Sequence, residues 1–358
     1  MDAISTVSRA VDTKSNMESV KGILIQASGE MMTLTGYDFE MGIKTSFECD
    51  VYSEGRIVLP NTLLSNIVRM SESPVISIES DDNLNCNIKA GAADYNIKGI
   101  DPSDYPDFPA TSRDHRLVIE NSLFTEMCDY VSYAVSLDEK RPAHTGILFK
   151  MEGEKLIMVA LDGFRLAVCE RNVDFEDDFQ IIIPAKTMNE VRKIVGDIDG
   201  KLTIYVSNRY VVFNAGEFIV LSRLLEGEFL DYRRAIPTSF TTDVLVNTRD
   251  LTGIVERASL IITERLKNPI RMEVSGGKLS VRCTTELGRV YDEMPVVREG
   301  DDITIGFNNK YILDALKNGK MDEMRFLFKG PLSPCKIIPK TGDAFTYLVL
   351  PVRFRNDD

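Results

Sequence analysis

Phe124-Thr125-Glu126-Met127-Cys128-Asp129-Tyr130-Val131-Ser132-Tyr133-Ala134-Val135 decides the fold, because it is one of three copies. Phe124, Cys128, Val131 and Val135 recur at spacings of three and four, which puts one apolar stripe on a helix. A shift of 124 residues carries Val131 and Ala134 onto Val7 and Ala10 in one direction and onto Val255 and Ala258 in the other. The same shift superposes Asp38, Asp162 and Glu286 beside a strand turn, and Pro60, Pro184 and Asn308 at the start of a second helical pattern. Self-similarity at a fixed period means one supersecondary unit used repeatedly.

Working outward from that helix, the order of patterns is constant. Helices are expected at 2–14, 121–138 and 248–263, and again at 61–71, 185–196 and 309–320. Alternating strands lie between them, as in Gly146-Ile147-Leu148-Phe149 and Leu156-Ile157-Met158-Val159-Ala160. Pro184 is read as the first residue of its helix, where a missing N–H is harmless. More strands follow, including Lys201-Leu202-Thr203-Ile204-Tyr205-Val206. The fold class is therefore α+β, with two helices on a mostly antiparallel sheet in every repeat. Proline-bearing, turn-rich stretches at 99–109 and 226–237 place domains at 1–112, 113–238 and 239–358. The first repeat lacks the leading strand that Arg116-Leu117-Val118-Ile119 and Val244-Leu245-Val246 supply to the others, so either its start is truncated or its sheet has one strand fewer.

Composition narrows the function. With 358 residues, 44% hydrophobic and 27% charged, the chain can bury proper cores and is no disordered tail. The net charge of −13 argues against whole-surface attraction to nucleic acid or membrane, so such a partner must meet a local basic face. Cysteines 49, 86, 128, 169, 283 and 335 are too far apart for a zinc cluster or a compact disulfide framework and read as buried thiols in a reducing cytoplasm. No apolar run is long enough to span a membrane and no signal peptide is evident, so a cytoplasmic location is expected. His115 and His144 are the only histidines, which weakens the case for His-based metal sites and general-base chemistry.

No catalytic motif is convincing. Ser275-Gly276-Gly277-Lys278 lacks the earlier glycine and the closing Ser/Thr of a phosphate loop and reads as a hairpin turn. Asp197-Ile198-Asp199-Gly200 has its glycine too early for a calcium loop and reads as a helix-to-strand turn. Asp38, Asp162 and Glu286 occupy equivalent places in separate domains and read as turn-stabilising side chains rather than one carboxylate site. No metal, cofactor or enzymatic activity is expected. The six helical segments together are slightly basic although the chain is acidic, so Arg69, Lys186, Arg192, Lys193, Lys310 and Lys317 are candidates to touch phosphates if the helices share a face.

Four further strings carry a family resemblance: Ala160-Leu161-Asp162-Gly163-Phe164-Arg165-Leu166-Ala167-Val168; Asp231-Tyr232-Arg233-Arg234; Ile305-Gly306-Phe307-Asn308 with Tyr311; and Tyr347-Leu348-Val349-Leu350-Pro351-Val352-Arg353. With the triple repeat, they resemble the bacterial DNA polymerase III beta subunit, the sliding clamps. The resemblance implies a non-catalytic processivity factor, a head-to-tail homodimer whose six domains form a ring around duplex DNA. Three sheets end to end would otherwise leave an open strand edge at each end. Expected partners are the polymerase alpha subunit, a clamp loader and other proteins with a short hydrophobic clamp-binding motif. A repeat-built scaffold that does not enclose DNA is the alternative, and a carboxylate-metal nuclease or phosphatase would need clustered acids that the sequence does not offer.

The resemblance also implies sites. A partner-peptide cleft falls on His144, Leu161, Gly163, Phe164, Arg165, Leu166, Arg234, Ala235, Asn308, Tyr311, Leu332 and the run Leu348, Val349, Leu350, Pro351, Val352 and Arg353. Phe164, Leu166, Leu350 and Val352 would form apolar walls, and Arg165, Arg353 and Asn308 would donate to an extended peptide of the Gln-Leu-x-Leu-Phe kind. Leu166 and Val349 fit ordinary strand core equally well. Leu230, Ala235 and His144 depart from the family pattern, and Arg355-Asn356-Asp357-Asp358 run past the usual terminus, where they could screen the cleft. Lys14 and Arg141 join the DNA-contact set on resemblance. Leu260-Ile261-Ile262 stand where the other repeats have Asp12-Thr13-Lys14 and Ser136-Leu137-Asp138, an excess of apolar surface on a terminal domain, so Leu260 and Ile261 are assigned to the dimer interface.

Overall fold

In a computed structural model of the chain, the described residues are 2–353 apart from 176, 197, 198 and 264–267. The first repeat comprises α1 (Asp2–Val7), β1 (Gly22–Ser28), β2 (Met31–Tyr37), β3 (Met41–Glu48), β4 (Gly55–Pro60), α2 (Asn61–Met70), β5 (Ile76–Ser80), β6 (Asn85–Ala90) and β7 (Ala93–Lys98). The second runs through β8 (His115–Glu120), α3 (Asn121–Val131), β9 (Gly146–Glu152), β10 (Lys155–Leu161), β11 (Arg165–Asn172), β12 (Phe179–Pro184), α4 (Ala185–Val195), β13 (Lys201–Val206), β14 (Tyr210–Ala215) and β15 (Phe218–Arg223). The third adds β16 (Thr242–Asn247), α5 (Thr248–Ser259), β17 (Ile270–Ser275), β18 (Lys278–Thr285), β19 (Gly288–Pro295), β20 (Val297–Gly300), β21 (Ile303–Phe307), α6 (Asn309–Gly319), β22 (Glu323–Phe328), β23 (Cys335–Pro339) and β24 (Thr346–Val349).

These elements form two compact units, Met1–Thr125 with Lys186–Leu224 and Glu126–Ala185 with Leu225–Asp358, so the middle repeat contributes to both. The first unit holds an antiparallel eight-stranded sheet, β4-β1-β2-β3-β15-β14-β13-β8, and a three-stranded sheet, β5-β6-β7. The second holds a nine-stranded sheet, β12-β9-β10-β11-β24-β23-β22-β16-β20, and a four-stranded sheet, β19-β18-β17-β21. Sheets thus run across repeat boundaries: β3 of the first repeat pairs with β15 of the second, and β11 of the second with β24 of the third. Among the described residues, the β5-β6-β7 sheet of the first repeat has three strands where the β19-β18-β17-β21 sheet of the third has four.

Local chemistry repeats with the fold. Asp38 Oδ1 accepts from the N–H groups of Glu40 and Met41, and Asp162 Oδ1 accepts from those of Phe164 and Arg165. In the third repeat this office falls to Thr285, whose Oγ1 accepts from Leu287 N, and not to Glu286. The hairpin pairing Thr285↔Gly288 fixes that correspondence, one residue away from the strict sequence shift. Gly276 and Gly277, both at positive φ, make the tight turn of the β17–β18 hairpin. Two residues of the calcium-like tetrapeptide, 197 and 198, lie outside the described residues.

Three first helices end earlier than their apolar patterns suggest. After α1 a single 3-10 turn reaches Ala10, and Asp12 then bends the chain by accepting from Lys14 N. After α3 a 3-10 turn covers Ser132–Ala134, and Ser136 N pairs with His144 O. α5 stops at Ser259, where Leu260 N turns back to Arg257 O. In each case side-chain or turn hydrogen bonds outcompete the next helical bond while apolar side chains continue the stripe. Pro184 ends β12 instead of starting α4, whereas Asn308 caps α6 through its Oδ1 and Lys310 N. Five of the six cysteines are buried, and burial pushes the Cys169 thiol up to about 12.

Candidate functional site

The sequence of the second unit builds a groove around one tight turn. Asp162 closes the turn between β10 and β11, Gly163 adopts φ +91°, which favours glycine, and Phe164 is left projecting at 59% exposure. The Phe164 ring stacks on Tyr311 of α6, with centroids 6.2 Å apart and planes 19° apart. Beneath them Arg165 is buried between two rings, 5.2 Å from the Tyr133 centroid and 4.8 Å from that of Tyr311. Its Nε donates to Asp162 Oδ2 at 3.0 Å and its Nη1 to Asp314 Oδ2. Burial raises the Tyr133 and Tyr311 hydroxyls above the ordinary tyrosine range, with the Asp162 and Asp314 carboxylates adding to it.

The chain end forms the adjoining wall. β24 pairs with β11 through Arg165↔Val349 and Leu166↔Leu348. Leu350 N then donates to Phe164 O at 2.9 Å and Val352 N to Gly306 O at 2.8 Å, which leaves both side chains 38% exposed. A groove of about 1230 Å³ runs along Phe164, Arg165, Tyr311 and Val352 toward Leu137 and Arg141. Below the sheet, Leu148, Ile157, Val159, Leu161, Leu166, Val168 and Leu348 pack with Phe229 and Tyr232 of the connector.

The structure thus separates the expected cleft residues by role. Phe164, Tyr311, Leu350 and Val352 present apolar surface, with Leu332 (67% exposed) also open to solvent. Leu161, Leu166, Leu348 and Val349 are strand core. Arg165, expected as a donor to peptide, is instead committed to two carboxylates. Asn308 spends its carbonyl on the α6 cap. His144 is half-buried, packs edge-on against Phe229 at 5.9 Å, and is held below the ordinary imidazole range by burial and then by Arg141. Arg234 and Ala235 are exposed on the 3-10 turn Tyr232–Ala235, where Arg234 pairs with Asp231 at 2.9 Å. Pro351 is half-buried and Arg353 exposed; residues 355–358 lie outside the described residues. Tyr133 and Asp314 were missed by sequence reasoning. The spacing Asn308, Tyr311, Asp314 on one helix face is the signal that could have found Asp314.

The basic candidates are exposed or half-buried on their own units, and several already have acidic neighbours. In the first unit Lys186 pairs with Asp38 at 2.8 Å and Lys193 with Glu190 at 2.8 Å, while Arg69 donates to Asn66 from the last turn of α2. Arg192 is half-buried and Lys14 exposed. In the second unit Lys317 pairs with Glu256 at 2.7 Å, and Lys310 and Arg141 are exposed. Both partners of the Lys317–Glu256 pair are exposed, which makes it weak in water, whereas the Asp38 and Glu190 carboxylates are largely buried. Leu260 is 81% exposed and Ile261 half-buried. Among the described residues no group of three or more His, Cys, Asp or Glu could hold a metal ion, and no helix is long and apolar enough to cross a membrane.

Comparison with known proteins accounts for nearly the whole chain. Models of the N-terminal, central and C-terminal domains of the DNA polymerase III beta subunit match residues 1–109, 118–231 and 233–353. A Staphylococcus epidermidis protein named beta sliding clamp is 30% identical, over 96% of this chain and 94% of its own length. The Bacillus subtilis sliding clamp crystal structure superposes with a TM-score of 0.95 at 28% identity, covering 99% of this chain and 97% of that one. A putative DNA polymerase III beta subunit from Eubacterium rectale gives 0.93 at 31% identity, covering 98% and 96%.

Proposed function

Because the chain belongs to the DNA polymerase III beta subunit family and is a sliding clamp, a non-catalytic processivity factor, we propose that two copies join head to tail into a ring around duplex DNA. Clamps of this family bind DNA and partner proteins. In this reading 1–112, 113–238 and 239–358 are the three clamp domains. The observation that carries the dimer is the pair of open strand edges. Within the chain β3 finds β15 and β11 finds β24, but β19, the third outgoing strand, and β7, the corresponding incoming strand, have no partner on their outer edges among the described residues. A second copy can supply both, which removes two edges at once.

Exposed Leu260, with Ile261 beside it, supplies apolar surface on the third domain for that closure. Lys14, Arg69, Lys186, Arg192 and Lys193 of the first unit, and Arg141, Lys310 and Lys317 of the second, would offer phosphates weak, sequence-independent attraction. Enclosure then provides residence on DNA, and the acidity elsewhere limits binding to other duplexes. The groove around Phe164, Tyr311, Leu350 and Val352 takes a short hydrophobic motif of the polymerase alpha subunit, the clamp loader or other DNA-handling proteins.

Sedimentation tests the dimer. The wild-type chain is expected at twice its 40.2 kDa mass, and the double substitution Leu260→Asp, Ile261→Asp at the monomer mass with native circular dichroism. A monomeric wild type, or an unaltered dimer of the variant, contradicts this assignment.

A further inference from the structure

We propose that the outer edge of β5 accepts an extended strand of a partner protein, laid antiparallel, in which a basic residue is followed by apolar residues at alternate positions. The site lies wholly within the first unit.

The other repeats show what such an edge holds. The hairpin pairs Ala90↔Ala93 and Ala215↔Phe218 equate β6 with β14, and the pairs Ser77↔Lys89 and Thr203↔Asn214 then equate β5 with β13. β13 carries β8 on its outer edge, with Ile204 opposite Leu117 and Leu202 opposite Ile119. In the third repeat β22 carries β16 in the same way, with Phe326 opposite Val244 and Met324 opposite Val246. β5 ends its sheet, and among the described residues no strand pairs with its outer edge.

The open edge changes the packing beside it. Leu202, Ile204, Met324 and Phe326 are fully buried, whereas the equivalent Ile76 and Ile78 are only half-buried, and Val75 next to them is 72% exposed. A cavity of about 540 Å³ lies between β5 and β4, the last strand of the eight-stranded sheet, with Ile78 on one side and Ile25 and Ile57 on the other. An edge of unpaired N–H and C=O groups beside half-open apolar side chains is what an added strand satisfies: its backbone completes the ladder and its alternate side chains fill the cavity.

The register of β8 carries over. A guest residue in the place of Leu117 faces Ile78, one in the place of Ile119 faces Ile76, and one in the place of Arg116 faces Glu79. Apolar side chains at the first two places share the face of the two isoleucines and cover them, and a slip of one residue would turn them outward. Charge sets the third place. Glu79 is exposed on β5 and Asp81 and Asp82 follow it, so the start of an antiparallel guest meets an acidic end and a basic residue complements it. Across β22 and β16 the same place holds an ion pair of opposite sense, Arg325 with Asp243. In a second copy of this chain the matching segments, β8 and β16, are already paired, which points to another protein as the source.

The probe is the end-blocked, fluorescein-labelled peptide His-Arg-Leu-Val-Ile-Glu, the sequence of 115–120, titrated into the full chain. Saturable binding is expected, with the amides of 75–80 slowed in hydrogen exchange only when the peptide is present, and a peptide with serine for its leucine and isoleucine should not bind. Glu79→Arg, at an exposed side chain, should weaken binding of the probe about fivefold and bind a peptide with glutamate for arginine better by a similar factor. That reciprocal change also shows that the variant is folded. No saturable binding by the wild-type chain, or binding that leaves 75–80 unprotected, would overturn the proposal, and equal binding of both peptides by both proteins would overturn the register. Protection of 75–80 without any peptide would show the edge filled by the chain itself or a second copy, which also overturns it.

Discussion

Phe164 and Tyr311, 147 positions apart in the chain, lie with their rings stacked 6.2 Å apart, and the buried Arg165 guanidinium is held beneath Tyr311. The pair forms an apolar platform whose position is set by a salt-bridged cation rather than by packing alone. Tyr311→Ala should remove the platform and weaken binding of a Gln-Leu-x-Leu-Phe peptide about tenfold, because an aromatic surface goes and Phe164 loses the ring that orders it. Fluorescence anisotropy measures this, and native affinity in the variant would show that the motif binds elsewhere.

Removing Leu350 to Asp358 takes away the other wall. Val352 leaves the groove and Leu350 the exposed surface beside Phe164, and the hydrogen bonds that their N–H groups make to Gly306 O and Phe164 O go with them. Peptide binding should be lost while the mass in sedimentation stays that of the dimer.

Asp314→Asn leaves Arg165 buried with one carboxylate instead of two. The expected loss in urea unfolding is about 1–3 kcal/mol, below the cost of a fully unpaired buried charge because Asp162 remains. An unchanged midpoint would mean that Asp162 alone holds the guanidinium.

Acid stability should depend on Glu152. Hydrogen bonds from Arg233, and then from Lys150, pull its carboxyl down to about 2 from an ordinary 4.5. A depressed folded value means stabilisation that is present above about pH 4.5 and is lost as pH falls toward 2. Both side chains are substantially exposed, so the contribution is below about 1 kcal/mol. Arg233→Ala should flatten stability against pH in that window, read by urea unfolding at several pH values, and leave the slope above pH 5 unchanged.

Much of this was legible in the sequence because it is local. The Asp38 and Asp162 turns use hydrogen bonds two and three residues away, and the apolar stripes of α2, α4 and α6 match their helices almost to the residue. What was not legible depends on distant partners. Arg165 looks like a free donor in the sequence, and only the fold brings Asp314, far along the chain, to hold it. Lys186 looks like a free cation, and only the fold sets Asp38 beside it. Leu166 and Val349 could not be divided between core and cleft by pattern, since a strand buried on both faces shows no alternation. Thr285 escaped notice because the hairpin, not the sequence shift, fixes which residue closes the turn.

Substituting Lys186, Arg192 and Lys193 with Ala together should weaken retention on all duplex sequences alike. The log-log salt slope should fall by up to about one unit for each phosphate no longer neutralised. An unchanged slope would remove these residues from the DNA-facing set.

Enclosure is a topological link, so cutting a circular duplex distinguishes it from ordinary binding. The protein is loaded on a nicked circular duplex with the clamp loader of its own organism, isolated by gel filtration, and the circle is then cut once with a restriction enzyme. A ring around the duplex should co-elute with the circle and be released when it becomes linear. Equal retention on circular and cut DNA would mean that the protein does not encircle the duplex.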